Sequence, residues 1–123
     1  MNWYKKSQQE TIIEKPISNG GTFYHGTTRQ KVKEILVNGL QPRFEQRGVY
    51  NQGGPEPRIY LFTDVNTAED GLVNWLADKL GGRWFSILEV KVNQTVFEDT
   101  ELAGSVYVKE PISAQNIKVI KNL

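Results

Sequence analysis

The stretch from residue 23 to 42, FYHGTTRQKVKEILVNGLQP, constrains the fold more than any other part of the chain. It opens on two aromatic residues that suit a β-strand, and apolar residues then recur at helical spacing: Val32, Ile35 and Leu36. Thr27 or Thr28 can cap the start of this helix, and Gly39 stands where helices commonly end. The stretch therefore predicts a strand, a helix and a sharp helix stop in direct succession.

The only histidine of the chain, His25, lies between this predicted strand and helix. We expect the pair His25-Gly26 to end the strand, where the backbone is exposed. Because Gly26 has no Cβ, a ligand can approach the backbone closely there. From its position alone, the simpler interpretation is a histidine satisfied by hydrogen bonds to its neighbours without any ligand.

The rest of the chain predicts a second helix and several more strands. Residues 58–63, RIYLFT, are typical of a strand, and a helix follows over 67–80 with Thr67 to Asp70 as a capping box. The apolar stripe of that helix is interpreted as core: Leu72, Trp75, Leu76 and Leu80. Residues 84–92 are apolar on both alternating faces at their start, which predicts a strand covered on both sides. Short strands are also expected at 96–97, 105–109 and 116–120.

Composition limits the classes of protein that this chain can belong to. A chain of 123 residues with 38% hydrophobic content predicts one domain at 22–123, preceded by a polar lead-in arm at 1–21. The net charge of +1 gives no general signal for nucleic acid or membrane. With no cysteine and one histidine, we expect no metal site. No long apolar span or signal peptide is apparent, so we expect a soluble, cytoplasmic protein without a membrane partner.

The run HGTTRQKVKEILVNGLQP resembles the first motif of the ADP-ribosyltransferases of the diphtheria-toxin class, roughly H-G-[ST]-R, a helix with I-L, then G-L-x-P. It is also similar to the opening of the tRNA 2′-phosphotransferases. In both families the histidine bonds the ribose of NAD or of an ADP-ribosylated intermediate, and the next glycine grips the nicotinamide carboxamide. The resemblance gives these roles to His25 and Gly26, and it implies that Thr27 and Arg29 also bind NAD.

The run RIYLFTDVNTAED resembles the second transferase motif, in which a tyrosine stacks on the nicotinamide ring. That tyrosine corresponds to Tyr60, whereas the phosphotransferases usually carry histidine there. In the transferase fold the preceding segment covers the NAD site, which implies that the aperiodic loop 43–57 is a lid. The arginines of this region, Arg43, Arg47 and Arg58, are then candidates to bind the pyrophosphate, because guanidinium groups match phosphate oxygens in pairs.

The third motif departs from the transferase pattern. There a glutamate, in a sequence like E-Y-x-V, bonds the 2′-hydroxyl of the nicotinamide ribose, but in SVYVKEPISAQNIKVI the matching residue is Val106. The phosphotransferases also carry an apolar residue at this point. Because polymer synthesis depends on the glutamate, the departure predicts transfer of single units. Nearby acids are candidates to replace it, with Glu101 taken as catalytic and a solvated turn as the alternative: Glu98, Asp99 and Glu101.

Two helices among about six strands, with the helices early, predict an α+β domain built on a split antiparallel β-sheet. The resemblance implies the same architecture, an ADP-ribosyltransferase-like domain with two main helices. We expect a mono-ADP-ribosyltransferase that uses NAD and modifies a protein or nucleic-acid acceptor. The expected catalytic residues are His25, Tyr60 and Glu101, and the expected NAD-binding residues are His25, Gly26, Thr27, Arg29, Arg47 and Tyr60. The alternatives are an RNA 2′-phosphotransferase-like enzyme and a non-catalytic binder of NAD or ADP-ribose that acts as an effector or inhibitor.

Overall fold

A computed structural model of the chain describes residues 14–44, 56–72, 84–100 and 103–123. These residues form an α+β fold with two α-helices and a seven-stranded antiparallel sheet. The strands are β1 (Pro16–Ser18), β2 (Gly21–Thr28), β3 (Ile59–Phe62), β4 (Phe85–Val92), β5 (Val96–Glu98), β6 (Ser105–Val108) and β7 (Ile117–Asn122). The helices are α1 (Arg29–Asn38) and α2 (Val65–Gly71), and a 3₁₀ turn spans Ala114–Asn116. The α+β class and the two-helix count are confirmed.

The strand order is β1-β5-β6-β3-β2-β4-β7, which makes β3 the central strand and places β2 between β3 and β4. The two sides are paired very differently. The whole of β2, from Gly21 to Thr28, is in register with β4, whereas β2 and β3 share a single register pair, Tyr24 with Phe62. The hydrogen-bonded ladder is therefore interrupted between β2 and β3.

Two apolar clusters cover the two faces of the sheet. The larger cluster lies on the face that α1 covers, and it includes Phe23, Leu61, Leu88, Val90 and Val106 from the strands and Ile35 from the helix. The smaller cluster lies on the opposite face, beneath α2, and consists of Ala68, Leu72, Phe85 and Ile87. Because β4 contributes alternate residues to both clusters, the prediction of a strand covered on both faces is confirmed.

Helix α1 ends where the sequence predicts. Gly39 follows the last helical residue with a φ of 76°, and its N–H donates to the Ile35 carbonyl at 2.7 Å. A Cβ at this position would lie 2.2 Å from the Ile112 carbonyl oxygen, so glycine is required for both conformation and space. The predicted apolar stripe is only partly right, because Leu36 is 41% exposed.

Two boundaries predicted from the sequence are wrong. The strand does not end at His25-Gly26, because β2 continues to Thr28 and is paired with β4 throughout. Helix α2 begins at Val65 rather than Thr67, because Asp64 is its N-cap: the carboxylate accepts from the Thr67 N–H at 2.7 Å and from the Thr67 hydroxyl at 3.0 Å. Its predicted continuation with Trp75, Leu76 and Leu80 lies outside the described residues.

The end of the predicted lead-in arm belongs to the sheet. Residues Pro16–Ser18 form β1, which pairs with β5, and Gly21 already opens β2. Residues 1–13 lie outside the described part of the chain, as do residues 45–55 of the predicted lid. The two ends of that loop meet at Arg43 and Arg58, which form an isolated antiparallel bridge. Within the described ranges, no helix is long and apolar enough to cross a lipid bilayer.

Candidate functional site

His25 and Tyr60 meet at the interruption between β2 and β3. The Nδ1 atom of His25 lies 3.0 Å from the Tyr60 carbonyl oxygen, and both residues are half-buried. A carbonyl can only accept a hydrogen bond, so this contact requires the proton on Nδ1. In the neutral imidazole, Nε2 is then the acceptor nitrogen. A hydrogen bond from the His25 side chain to the main chain of β3 thus brings together His25 of the first motif and Tyr60 of the second.

The two side chains start from opposite faces of the sheet. His25 is in register with Leu88, which belongs to the cluster beneath α1. Tyr60 is in register with Tyr107, and the two rings lie 6.1 Å apart at 57°. Because paired residues share a face, the contact of His25 with Tyr60 runs through the main chain rather than through the Tyr60 ring.

Gly26 packs against the second helix. A Cβ on Gly26 would lie 2.7 Å from Cδ2 and 2.8 Å from Cγ of Leu72, which is 1% exposed. The space that the missing Cβ leaves is therefore filled by Leu72. Glycine allows α2 to approach β2 closely, which is a structural reason for this residue that needs no ligand.

Thr27 and Arg29 lie further along, away from the Tyr60 ring. Thr27 is buried and in register with Ser86, on the same face as His25. The Arg29 guanidinium lies 4.9 Å from the centre of the Trp84 ring and donates to the Leu123 main-chain oxygen at 3.2 Å. Arg29 therefore links the start of α1 to Trp84 and to the main chain of Leu123. Neither Thr27 nor Arg29 takes part in the His25–Tyr60 contact in this structure.

The position of the third motif is part of the core. Val106 is 2% exposed, belongs to the cluster beneath α1 and is in register with Leu61 and Glu98. Glu98 forms an ion pair with Lys15 at 3.7 Å, and Asp99 is buried. The other two predicted site residues, Arg47 and Glu101, lie outside the described residues.

A cluster that the sequence analysis missed lies beside Tyr60. It combines aromatic rings, two cations and two carboxylates: Tyr60, Phe97, Tyr107, Arg58, Lys109, Glu14 and Glu56. The Tyr107 ring stacks on Phe97 at 5.2 Å, and the Arg58 guanidinium lies 3.8 Å from the centre of the Tyr107 ring. An available signal was the spacing of Arg58 to Tyr60 and of Tyr107 to Lys109, which places each pair on one face of a strand.

Burial, hydrogen bonds and charge shift four pKa values in this cluster. Burial opposes the charged form of Arg58, but its hydrogen bond with Tyr60 and the nearby charges raise its pKa. The hydrogen bond from Lys109 lowers the pKa of Glu14, and the same bond raises the pKa of Lys109. Burial raises the pKa of Tyr107 to about 12 against the opposing charge of Arg58, and its bond to Glu14 adds to the rise. At neutral pH the Tyr107 hydroxyl is therefore protonated and can donate its hydrogen bond to Glu14.

No group of three or more histidine, cysteine, aspartate or glutamate side chains in the described ranges is arranged to hold a metal ion. No protein-family model matches the sequence, and no curated protein matches it significantly.

Proposed function

We propose that this protein binds NAD and transfers one ADP-ribose unit to a macromolecular acceptor, protein or nucleic acid, in the cytoplasm. The observation that carries the proposal is the contact of His25 Nδ1 with the Tyr60 carbonyl at 3.0 Å. It joins the residues of two separate sequence motifs where β2 and β3 share only one register pair.

In the proposed reaction, NAD enters between β2 and β3, because the His25 and Tyr60 side chains start from opposite faces of the sheet. His25 Nε2 accepts a hydrogen bond from a ribose hydroxyl of NAD, and the Tyr60 ring stacks on the nicotinamide. The glycosidic bond between nicotinamide and ribose C1′ breaks, and nicotinamide leaves with the electron pair. A nucleophile of the acceptor forms the new bond to C1′ and loses its proton to solvent. The oxocarbenium-like transition state is stabilised by fixed dipoles around the sugar.

A second candidate is binding of NAD or ADP-ribose without transfer. It is favoured by the burial of Val106, which leaves no room for solvent or a carboxylate at the position where the transferases carry their glutamate. Under this proposal the same His25 and Tyr60 contacts hold the ligand, and the protein acts as an effector or inhibitor.

Binding is tested by the change in melting temperature at millimolar NAD, because a ligand that binds only the folded state stabilises it. His25→Asn keeps an amide donor near the Tyr60 carbonyl but has nothing at the place of Nε2, so we expect it to lose most of the shift. Tyr60→Ala should lose it as well, and Tyr60→Phe, which keeps the ring, should retain it. Tyr24→Phe, a tyrosine change on the neighbouring strand, is the matched control.

Transfer is tested by incubating the protein with NAD labelled in the adenylate and with a cell extract. Label on a macromolecule that disappears in Tyr60→Ala supports the transferase. A thermal shift without labelled product supports the non-catalytic binder. Label transfer that requires an RNA with an internal 2′-phosphate identifies a 2′-phosphotransferase, and the absence of any shift with folded protein contradicts the proposal.

A further inference from the structure

Three aromatic residues form a row across neighbouring strands, on the sheet face that α2 covers further along. Tyr60 of β3 is in register with Tyr107 of β6, which is in turn in register with Phe97 of β5. Paired residues share a face, so the row continues from the residue proposed to stack on nicotinamide towards the β1 edge of the sheet. Rings in such a row offer flat surfaces next to the proposed NAD site.

Two cations lie along one side of this row. Arg58 and Lys109 are one residue beyond the last register pair of β3 and β6, Ile59 with Val108, and therefore face the same way as Tyr60 and Tyr107. The Lys109 ammonium lies 4.7 Å from the centre of the Phe97 ring. Together with the Tyr107 hydroxyl, the two cations form a compact set of donors.

Two carboxylates from outside β3, β5 and β6 pair with the Tyr107 hydroxyl and with the two cations. Glu14, which precedes β1, accepts from the Tyr107 hydroxyl at 3.1 Å and from Lys109 at 2.6 Å. Glu56, which precedes β3, pairs with Lys109 at 3.2 Å and with Arg58 Nε at 3.5 Å. The Glu14 and Glu56 side chains are 32% and 36% exposed, so both are in contact with solvent.

The contact of Arg58 with Glu56 is incomplete. The Arg58 Nε atom is buried and makes no hydrogen bond of acceptable geometry, although the Glu56 oxygen is within ion-pair distance. A buried guanidinium N–H without an aligned acceptor costs free energy, and a phosphate oxygen can supply that acceptor in the two-pronged geometry that arginine favours.

We propose that Arg58, Lys109 and the Tyr107 hydroxyl form a subsite for the pyrophosphate of the dinucleotide, which Glu14 and Glu56 occupy in the free protein and vacate when the ligand binds. The inference rests on the proposed function for the identity of the ligand. The pyrophosphate of a dinucleotide is esterified at both ends and carries two negative charges, so it replaces two carboxylates with no change in the charge balance of the site. Glu14 is then an internal competitor of the ligand, contributed by the chain just before β1.

Competition between Glu14 and the ligand predicts the direction in which each substitution changes the binding affinity. Glu14→Gln removes the competing charge, and we expect it to tighten binding of NAD and of inorganic pyrophosphate by about threefold to fivefold, the size of a partly exposed ion pair. Lys109→Gln should weaken both by at least as much, while binding of nicotinamide, which has no phosphate, should stay unchanged in both variants. Glu34→Gln, an exposed change of equal charge on α1, is the matched control. Affinities are measured by calorimetry, with thermal melts to verify folding.

The outcomes separate the subsite from the function. If pyrophosphate binds and Glu14→Gln tightens it, but NAD does not bind, the subsite stands and the proposed function fails. If NAD binds the unmodified protein and its affinity is indifferent to Glu14→Gln and Lys109→Gln, the function stands and the subsite is wrong. An equal gain in Glu14→Gln and Glu34→Gln is a general charge effect and also overturns the subsite. A Glu14→Gln variant that loses stability and binds more weakly identifies Glu14 as a purely structural ion pair.

Discussion

At the scale of single residues, Gly26 has a role that its place in the first motif does not reveal. Its missing Cβ makes room for Leu72, so the residue holds α2 against the sheet as well as standing next to His25. A loss of NAD binding on changing Gly26 would therefore have two explanations. The effect of a Gly26 substitution on stability must therefore be measured separately from its effect on NAD binding.

Gly26→Ala places a Cβ within 3 Å of three Leu72 side-chain atoms, and we expect it to lower the free energy of unfolding by about 1–3 kcal/mol. Leu72→Ala alone should cost about 2–5 kcal/mol through the cavity it leaves. In the double variant the cavity receives the new methyl group, so the extra cost of Gly26→Ala should disappear. Urea unfolding of the four proteins measures this coupling, and strictly additive effects would contradict the packing explanation.

At the scale of elements, the start of α2 depends on one side chain. Asp64 caps the helix by accepting from the Thr67 N–H and hydroxyl, and those hydrogen bonds lower the pKa of its carboxyl below the ordinary value of 3.8. Ala68 of α2 and Leu72, the residue that follows the helix, both pack in the smaller core cluster. The cap therefore stabilises the helix that positions these two core residues.

Asp64→Ala should lower the melting temperature at pH 7. Asp64→Asn keeps a capping oxygen, so its melting temperature should stay closer to that of the natural protein. A carboxyl whose pKa is lowered on folding contributes stability above its unfolded pKa and loses it as the pH falls through the folded value. The difference between the natural protein and Asp64→Asn should therefore shrink below about pH 4. Thermal melts from pH 2 to pH 7 measure it, and a difference that is constant with pH would mean that the charge of Asp64 is irrelevant.

At the scale of the whole molecule, the sheet is covered on both faces, and this decides which positions can carry charge. Val106 is completely enclosed in the cluster beneath α1, while its neighbour Tyr107 belongs to the opposite face with Tyr60 and Phe97. A glutamate at position 106, where the third transferase motif has one, would lie in the apolar core and not in a solvent-filled cleft. A catalytic acid, if the protein uses one, must come from another position.

Val106→Glu should therefore lower the free energy of unfolding by about 3–5 kcal/mol, because the core offers no partner for a buried carboxylate. Val106→Gln, a neutral side chain of the same size, separates the cost of charge from the cost of volume. Burial disfavours the ionised form, so the gap between the two variants should close below about pH 4. Chemical denaturation at pH 7 and pH 3 tests this, and a Val106→Glu variant as stable as the natural protein would show that the position is open to water.

The sequence alone determined the features that depend on neighbours along the chain. The α+β class, the end of α1 at Gly39 and the two apolar faces of β4 follow from local periodicity and from the conformational freedom of glycine, and the structure has all three. The tertiary structure decided what depends on contacts between distant segments. It brought Glu14 and Glu56 to Arg58 and Lys109, placed Leu72 over Gly26 and enclosed Val106, because strand pairing and helix packing join residues whose separation along the chain leaves no local signal.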